Sequence, residues 1–211
     1  MNTEEFNQIE KEFFGEMQRI FNEINDSVKH LRKEKRFIKS ELCLVLTCAD
    51  SFSRFYKVFQ GYNENELNNK NEERFKAWLN DFVFTEENEI YKKQKEKIYC
   101  NSDSVWELRN SLLHFYGLPK PQKDGTRISF CSSGNSDECE KLKKFIKERG
   151  EKIVLIDPYQ LIELIFYGLL VQLEKMKEMI KNEPKNYIDR VLLAHKIATT
   201  EGAAFIDISK K

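Results

Sequence analysis

Apolar residues recur at steps of three and four over most of this chain, and this helical period constrains its fold more than any other feature. The first run continues from Phe6 to Leu31 as an amphipathic helix of about eight turns. Further runs extend from about Phe37 to Gln60 and from Pro158 to about Lys181. Because each run has one apolar face, the helices must pack together to bury it. The pattern predicts a mainly α-helical, up-and-down bundle.

Shorter helical segments lie between and after these runs. Phe75 to Phe82 carries apolar residues at helical spacing, and Asn63 to Asn71 is a polar connector. In the charged segment from Thr85 to Cys100, a short helix around Tyr91 is the expected element. After Pro184, which ends the long run, Ile188 to His195 predicts a last helix. We expect one domain over residues 1–211, with a C-terminal tail at 201–211 for which the sequence predicts no order.

Two segments have the β-branched and aromatic residues that are typical of β-strands. Arg127 to Cys131 and Lys152 to Ile156 are such runs, and a helical stretch from Ser136 to Arg149 followed by Gly150 separates them. We expect a small β-hairpin or two-stranded sheet, inserted between helices at about residues 118–157.

The charge balance excludes a strongly basic nucleic-acid binder. Lys and Arg number 35, as do Asp and Glu, so an RNA contact must come from a local patch. Lys29, Arg32, Lys33 and Arg36 repeat at helical spacing and form one such candidate, with a surface suited to following phosphates. The alternative is a solvated helix end whose cations complement the helix dipole.

Several other classes of function have no support in the sequence. The longest apolar run, Leu161 to Leu173, contains Glu163 and is too short for a bilayer, so we expect no membrane association. Five cysteines without Cys-x-x-Cys spacing favour a reducing compartment, the cytoplasm. Cys131 and Cys139 have no histidine near them in sequence, and glycine-rich phosphate loops are absent. We therefore expect no metal and no cofactor.

The segment that carries chemistry is Arg109-Asn110-Ser111-Leu112-Leu113-His114-Phe115-Tyr116, on a predicted helix that Gly117 ends. Arginine stabilises charge on phosphoryl oxygens, and histidine transfers protons near neutral pH. At about 100° per residue, Asn110 and His114 lie on the polar side, whereas Arg109 lies within the apolar arc. The two residues could instead be structural, an arginine that braces the core and a histidine near a helix C-terminus.

An arginine on an apolar face needs a partner. Asp50, on an otherwise apolar stretch of the second helical run, is the candidate partner for Arg109. An equally good alternative pairs Asp50 with Arg54, four residues later on the same helix.

The stretch Val105-Trp106-Glu107-Leu108-Arg109-Asn110-Ser111-Leu112-Leu113-His114 resembles the Arg-x4-His motif helix of the HEPN superfamily, in the Arg-x4-His-x-Tyr form that ends at Tyr116. The upstream helix with Cys48-Ala49-Asp50 also resembles HEPN-like proteins, and the similarity extends over about Phe37 to Tyr116. It implies a metal-independent endoribonuclease that acts as a homodimer, with a composite site at the interface. His114 would then be the general acid or base, Arg109 would hold the scissile phosphate, and Asn110 would orient either group.

Tyr116 adds a regulatory expectation. In HEPN toxins that are paired with minimal nucleotidyltransferase antitoxins, modification of the tyrosine at this position silences the nuclease. The resemblance thus implies RNA as substrate, a defence or toxin–antitoxin role, and a nucleotidyltransferase partner. Two alternatives remain: Tyr116 merely closes the helix, and the whole chain is a non-catalytic HEPN-like module that binds RNA, a nucleotide or a protein.

Overall fold

The computed structural model describes residues 3–33, 37–98, 100–121, 124–131 and 136–206, with the backbone alone at 136–138, 140 and 200–206. The described residues are mainly helical, as the apolar periodicity predicts. The helices are α1 (Thr3–Arg32), α2 (Ile38–Phe59), α3 (Glu64–Asn69), α4 (Asn71–Trp78), α5 (Glu89–Gln94), α6 (Ser102–Phe115), α7 (Ser136–Glu148), α8 (Pro158–Asn182) and α9 (Pro184–Ile206). The two strands are β1 (Arg127–Phe130) and β2 (Ile153–Ile156).

Helix α2 is the central element, and α1 lies antiparallel against it. The ring of Phe13, near the start of α1, contacts those of Phe55 and Phe59 near the end of α2. At the other end, the Nε atom of Arg32 lies 3.4 Å from a carboxylate oxygen of Glu41 in the first turn of α2. These contacts bury a row of aromatic side chains along the axis of the bundle.

Helix α8 also runs antiparallel to α1, and it therefore runs in the same direction as α2. Phe21 packs edge-on against Phe166, and Arg32 lies over the ring of Tyr159. The expected up-and-down order holds for the neighbours α1 and α2. Between α2 and α8, a crossover that contains the remaining elements returns the chain to its starting end.

A π-helical turn at Leu79–Val83 follows α4 and packs closely against α8. A Cβ atom on Gly168 would lie 2.8 Å from the carbonyl oxygen of Phe82, so only glycine fits there without movement. Nearby, the buried Gln172 accepts a hydrogen bond from the indole of Trp78 at 2.6 Å and donates to the carbonyl of Phe52 at 2.8 Å. This buried amide joins α4, α8 and α2.

The inserted β element forms within the expected segment, as a parallel pair. Arg127 pairs with Ile153 and Phe130 with Ile156, with α7 as the crossover between the strands. The hairpin alternative is therefore wrong, because antiparallel strands would need a tight turn where this chain has a helix. A disulfide joins Cys131 to Cys139. No sequence pattern predicted this bond, and it does not fit an expectation of reduced cysteines throughout.

Some predicted boundaries need correction. The polar connector from Asn63 to Asn71 contains α3, which begins with a capping box between Asn63 and Glu66. Helix α9 continues through Ile206 into the predicted tail, and residues 207–211 lie outside the described part of the chain. Within that part, no helix combines the length and apolarity needed to cross a membrane.

Candidate functional site

Helix α6 carries the Arg-x4-His segment and has well-defined ends. The Asn101 side chain accepts a hydrogen bond from the backbone of Ser104, and the Ser104 hydroxyl accepts one from the backbone of Asn101. At the other end, Tyr116 adopts a left-handed conformation with φ +50° and closes the helix. A non-glycine residue pays roughly 1 kcal/mol for this conformation, so other contacts must hold Tyr116 in place.

Those contacts come from the first turn of α2. The Tyr116 hydroxyl lies 2.7 Å from the Ser40 Oγ, and the Lys39 ammonium lies 5.7 Å from the centre of the tyrosine ring. Helix α6 thus runs antiparallel to α2, with Tyr116 beside Ser40 and Arg109 beside Asp50. This pairing fixes the direction in which each motif side chain projects.

Arg109 is held between α2 and α6. Its Nη2 donates to Asp50 Oδ2 at 2.8 Å and its Nη1 to Asn110 Oδ1 at 2.9 Å, while the guanidinium lies 5.2 Å from the ring centre of Trp106. Of the two alternatives for Asp50, the pair with Arg109 is therefore present. The Arg109 side chain keeps 16% of its surface exposed.

Asp50 also binds a second arginine, which the sequence patterns did not reveal. Nη2 of Arg74 donates to Asp50 Oδ1 at 2.8 Å, and Nη1 donates to the carbonyl of Leu67 at 2.7 Å. Arg74 is 4% exposed. It lies four residues before the buried Trp78 on α4, and this spacing was the available signal that it shares an apolar face.

The Asp50 cluster carries more positive than negative charge. Burial lowers the pKa of Arg74, the ion pair with Asp50 opposes that change, and the charges of Arg54 and Arg109 lower the pKa further. The Nε–H of Arg109 is buried and has no hydrogen-bond partner among the described residues. Such an excess of guanidinium groups around one carboxylate favours the binding of an anion beside Arg109, whose side chain is partly exposed.

His114 lies away from Arg109. The two residues are separated by five positions, about 140° around the helix axis, and His114 is exposed. Its ring contacts only its neighbour Phe115 among the described aromatic residues, edge-on at 6.2 Å between centres. One protomer therefore does not bring Arg109 and His114 together. Nor is His114 buried in the core, which excludes a role in internal packing.

The end of α6 presents an apolar patch beside His114. Phe115 is 82% exposed, and Tyr116 and Leu118 are also exposed. We call these three residues the α6 patch. An aromatic side chain that remains this exposed beside two other apolar groups is typical of a surface that contacts another molecule.

The basic patch at the end of α1, proposed from the sequence as an RNA-binding surface, is only partly exposed. Lys29 and Lys33 are exposed at the end of α1, and Arg32 is half-buried against Glu41 and Tyr159. Arg36 lies outside the described residues. Lys29 lies 3.4 Å from Asp26, an exposed pair that contributes little to stability.

No group of three or more His, Cys, Asp or Glu side chains suited to a metal ion occurs in the described part of the chain. Comparison with known proteins gives no family: no family model, no curated protein and no solved structure significantly matches this chain.

Proposed function

We propose that this chain is a HEPN-type endoribonuclease that cleaves RNA without a metal ion. The observation that carries the proposal is the geometry of α6: Asp50 fixes Arg109, whose side chain stays partly exposed, and the same helix presents an exposed His114. The sequence resemblance of this helix to the Arg-x4-His motif supplies the reaction.

The reaction is a transesterification. A histidine base takes the proton of the ribose 2′-hydroxyl, whose oxygen forms a bond to phosphorus while the bond from phosphorus to the 5′-oxygen breaks. A second proton, from a histidine acid, neutralises the departing 5′-oxygen. Arg109 stabilises the additional charge on the phosphoryl oxygens, and Asn110 keeps its Nη1 in place. The products are a 2′,3′-cyclic phosphate and a 5′-hydroxyl.

A homodimer supplies what one protomer lacks. Arg109 and His114 diverge on α6, so a two-fold axis near the end of this helix is needed to face His114 with groups of a second copy. The α6 patch lies at that end and gives the dimer an apolar contact. Two histidines at one interface also provide separate groups for the acid and the base.

Tyr116 is the proposed point of control. Its side chain is 53% exposed, and its hydroxyl contacts Ser40 at 2.7 Å. A nucleotidyltransferase antitoxin that modifies this hydroxyl would have to break the Ser40 contact and would place a phosphate group beside the proposed site. The added charge and bulk would block both RNA and dimer contacts, consistent with a toxin–antitoxin or defence role.

The second candidate is a non-catalytic HEPN-like module that binds RNA, a nucleotide or a protein. The observation in its favour is that Arg109 already has three partners, Asp50, Asn110 and Trp106, which also suit a purely structural arginine. In that case the α6 patch would bind another molecule and His114 would have no chemical role.

Cleavage of RNA in excess EDTA tests the proposal. We expect wild type to cleave single-stranded or structured RNA, and His114→Ala and Arg109→Lys to lose at least about a hundredfold in rate. His30→Ala is the matched control, since His30 is also an exposed histidine in the last turn of a helix. Equal rates for His114→Ala and His30→Ala would refute the assignment. RNA binding without cleavage by a folded, unmodified wild type would favour the module.

A further inference from the structure

A groove runs along the first half of α8, on a side of the bundle that the Arg-x4-His motif does not use. It consists of two adjoining cavities of about 310 Å³ and about 520 Å³, and both are lined by Arg32 and Glu163. The end of α1 forms one wall, and α5 with the following turn at Lys95–Lys97 forms the other. We call this feature the α8 groove.

The smaller cavity is mainly apolar. Val28, Ile90, Ile162 and Phe166 line it, and the half-buried Tyr167 adds a second aromatic ring. Its volume and its aromatic lining suit a flat, unsaturated ring system such as a nucleobase, which binds by stacking and by burial of apolar surface.

The larger cavity is polar and carries most of the positive charge. Arg32, Lys93 and Lys97 line it, together with Tyr159. Among the described residues, the carboxylate paired with Lys93 is that of Glu89, 3.9 Å away, so this charge is not held in a tight pair there. Asp157 lines the same cavity, but its carboxylate accepts hydrogen bonds from the backbone N–H groups of Tyr159 and Gln160 as the cap of α8.

The groove and the end of the motif helix meet at the first turn of α2. Ser40 contacts the Tyr116 hydroxyl, and the next residue, Glu41, contacts Arg32. Adjacent positions on a helix face neighbouring directions, about 100° apart. Arg32 and Tyr116 thus contact adjacent residues of α2, so the part of the groove at Arg32 lies near the end of α6, where His114 is exposed.

We propose that the α8 groove binds single-stranded RNA, with a base in the apolar cavity and the adjoining phosphates at Arg32, Lys93 and Lys97. This inference rests on the proposed function, because it supplies a binding surface that leads the RNA toward His114. In this proposal Arg32, already part of the basic patch on α1, binds phosphate. Lys93 and Lys97, which are far from Arg32 in sequence, join it as further phosphate-binding residues.

Glu163 gives the groove a base preference. It lies where the two cavities join, and its carboxylate has no ion pair or hydrogen bond with another described residue. A carboxylate accepts hydrogen bonds from the amino group of cytosine and repels the carbonyl that uracil presents in its place. Oligocytidine should therefore bind more tightly than oligouridine, and Glu163→Gln should reduce the difference.

The test is the affinity of a fluorescent single-stranded oligocytidine for the intact protein in the His114→Ala background, measured by anisotropy. Lys93→Glu with Lys97→Glu should weaken binding at least tenfold and should lower the dependence of log Kd on log salt by roughly 0.7 for each phosphate that the variant no longer neutralises. Arg32 is left unchanged, because its loss would leave the buried Glu41 without its cation.

The matched control is Lys181→Glu with Lys185→Glu, an equal charge change at the opposite end of α8, where both lysines are exposed. We expect less than about a twofold loss from this pair, the size of a general charge effect. Equal losses from the two pairs, or no binding by wild type even at roughly 100 µM, would overturn the inference. Equal affinity for oligocytidine and oligouridine would overturn the role of Glu163.

Failure of this inference is distinguishable from failure of the proposed function. The binding assay needs no chemistry, so it reports on the groove even if no RNA is cleaved. Conversely, RNA cleavage by a wild type whose RNA binding does not depend on Lys93 and Lys97 would leave the proposed nuclease standing and would overturn the groove alone.

Discussion

Asp50 is the residue on which the geometry of Arg109 depends, because its one carboxylate binds two guanidinium groups. Asp50→Asn keeps the shape but leaves Arg74 and Arg109 close together without a compensating charge. Removal of one partner from a buried ion pair is strongly destabilising, so we expect the free energy of unfolding to fall by about 3 kcal/mol. Urea denaturation followed by circular dichroism measures this change.

Asp26→Asn is the control for that substitution, since it removes a carboxylate from an exposed ion pair with Lys29. We expect its effect on the free energy of unfolding to stay within about 0.5 kcal/mol. If the two variants unfolded at the same urea concentration, the Asp50 cluster would not be the organising contact that the structure shows.

Cys48 makes a separate prediction about pH. Burial in α2 raises the pKa of its thiol from 9.0 to about 12. Since the thiolate is disfavoured only in the folded state, the contribution of Cys48 to stability is complete below pH 9 and is lost as the pH rises from there toward 12. Wild type should lose about 1 kcal/mol more than Cys48→Ala between roughly pH 8 and pH 10, measured by urea denaturation. Identical losses would show that the thiol ionises freely.

At the scale of the elements, two helical glycines should respond in opposite directions to the same substitution. Gly168→Ala places a Cβ 2.8 Å from the backbone oxygen of Phe82, and we expect a loss of about 1–3 kcal/mol as α8 moves from the π turn. Gly15→Ala adds a Cβ on α1 with no atom within 4 Å. It should stabilise the protein by about 0.5–1 kcal/mol, because alanine favours the helix.

Thermal unfolding of both variants beside wild type checks these signs. A stabilising effect of Gly168→Ala would mean that α8 and the π turn are not packed as closely as the structure shows.

The helices were predictable from sequence because their signals are local. The Asn101 side chain caps the start of α6 and that of Asp157 the start of α8, while the end of α6 predicted at Gly117 falls one residue after the left-handed Tyr116 that closes this helix. The β element was predictable as two strands, and the helical stretch predicted between them was the available signal for parallel pairing, which the hairpin alternative overlooked. The π turn was not predictable, because a geometry with one extra residue per turn arises from packing against Gly168.

Only part of the candidate site could be read from the sequence. Helical geometry was enough to place His114 on the polar side and Arg109 on the apolar side. The need of a buried arginine for a partner made Asp50 a candidate, with its pairing to Arg54 an equal alternative. Arg74 was missed because a charged residue is usually assigned to the exposed face of a helix, whereas Arg74 lies on the buried face of α4. The α8 groove was missed because Arg32, Lys93 and Glu163 come from three separate elements.

At the scale of the whole molecule, the proposed site requires a dimer through the α6 patch. Phe115→Glu places a charge where the apolar contact is expected, and it should convert a dimer into a folded monomer. Sedimentation velocity measures the mass. Phe145→Glu is the matched control, because Phe145 is also an exposed aromatic residue, on α7, and it should leave the dimer intact. A wild type that is monomeric, or a Phe115→Glu variant that stays dimeric, would contradict this interface.

The proposed dimer also predicts how activity depends on assembly. A monomeric Phe115→Glu variant keeps its own Arg109 and His114, so residual cleavage at the wild-type rate would show that one protomer suffices. We expect instead that activity falls with the dimer fraction, because each protomer separates the two side chains around its own helix.

The measurement that tests the central claim most directly is phosphorus NMR of the products formed from a short RNA by unmodified wild type in excess EDTA. We predict a 2′,3′-cyclic phosphate resonance that grows with time, and its absence from a folded His114→Ala sample. Cleavage that leaves a 5′-phosphate would contradict the proposed transesterification. An equal cyclic phosphate signal from the His114→Ala sample would contradict the assignment of His114.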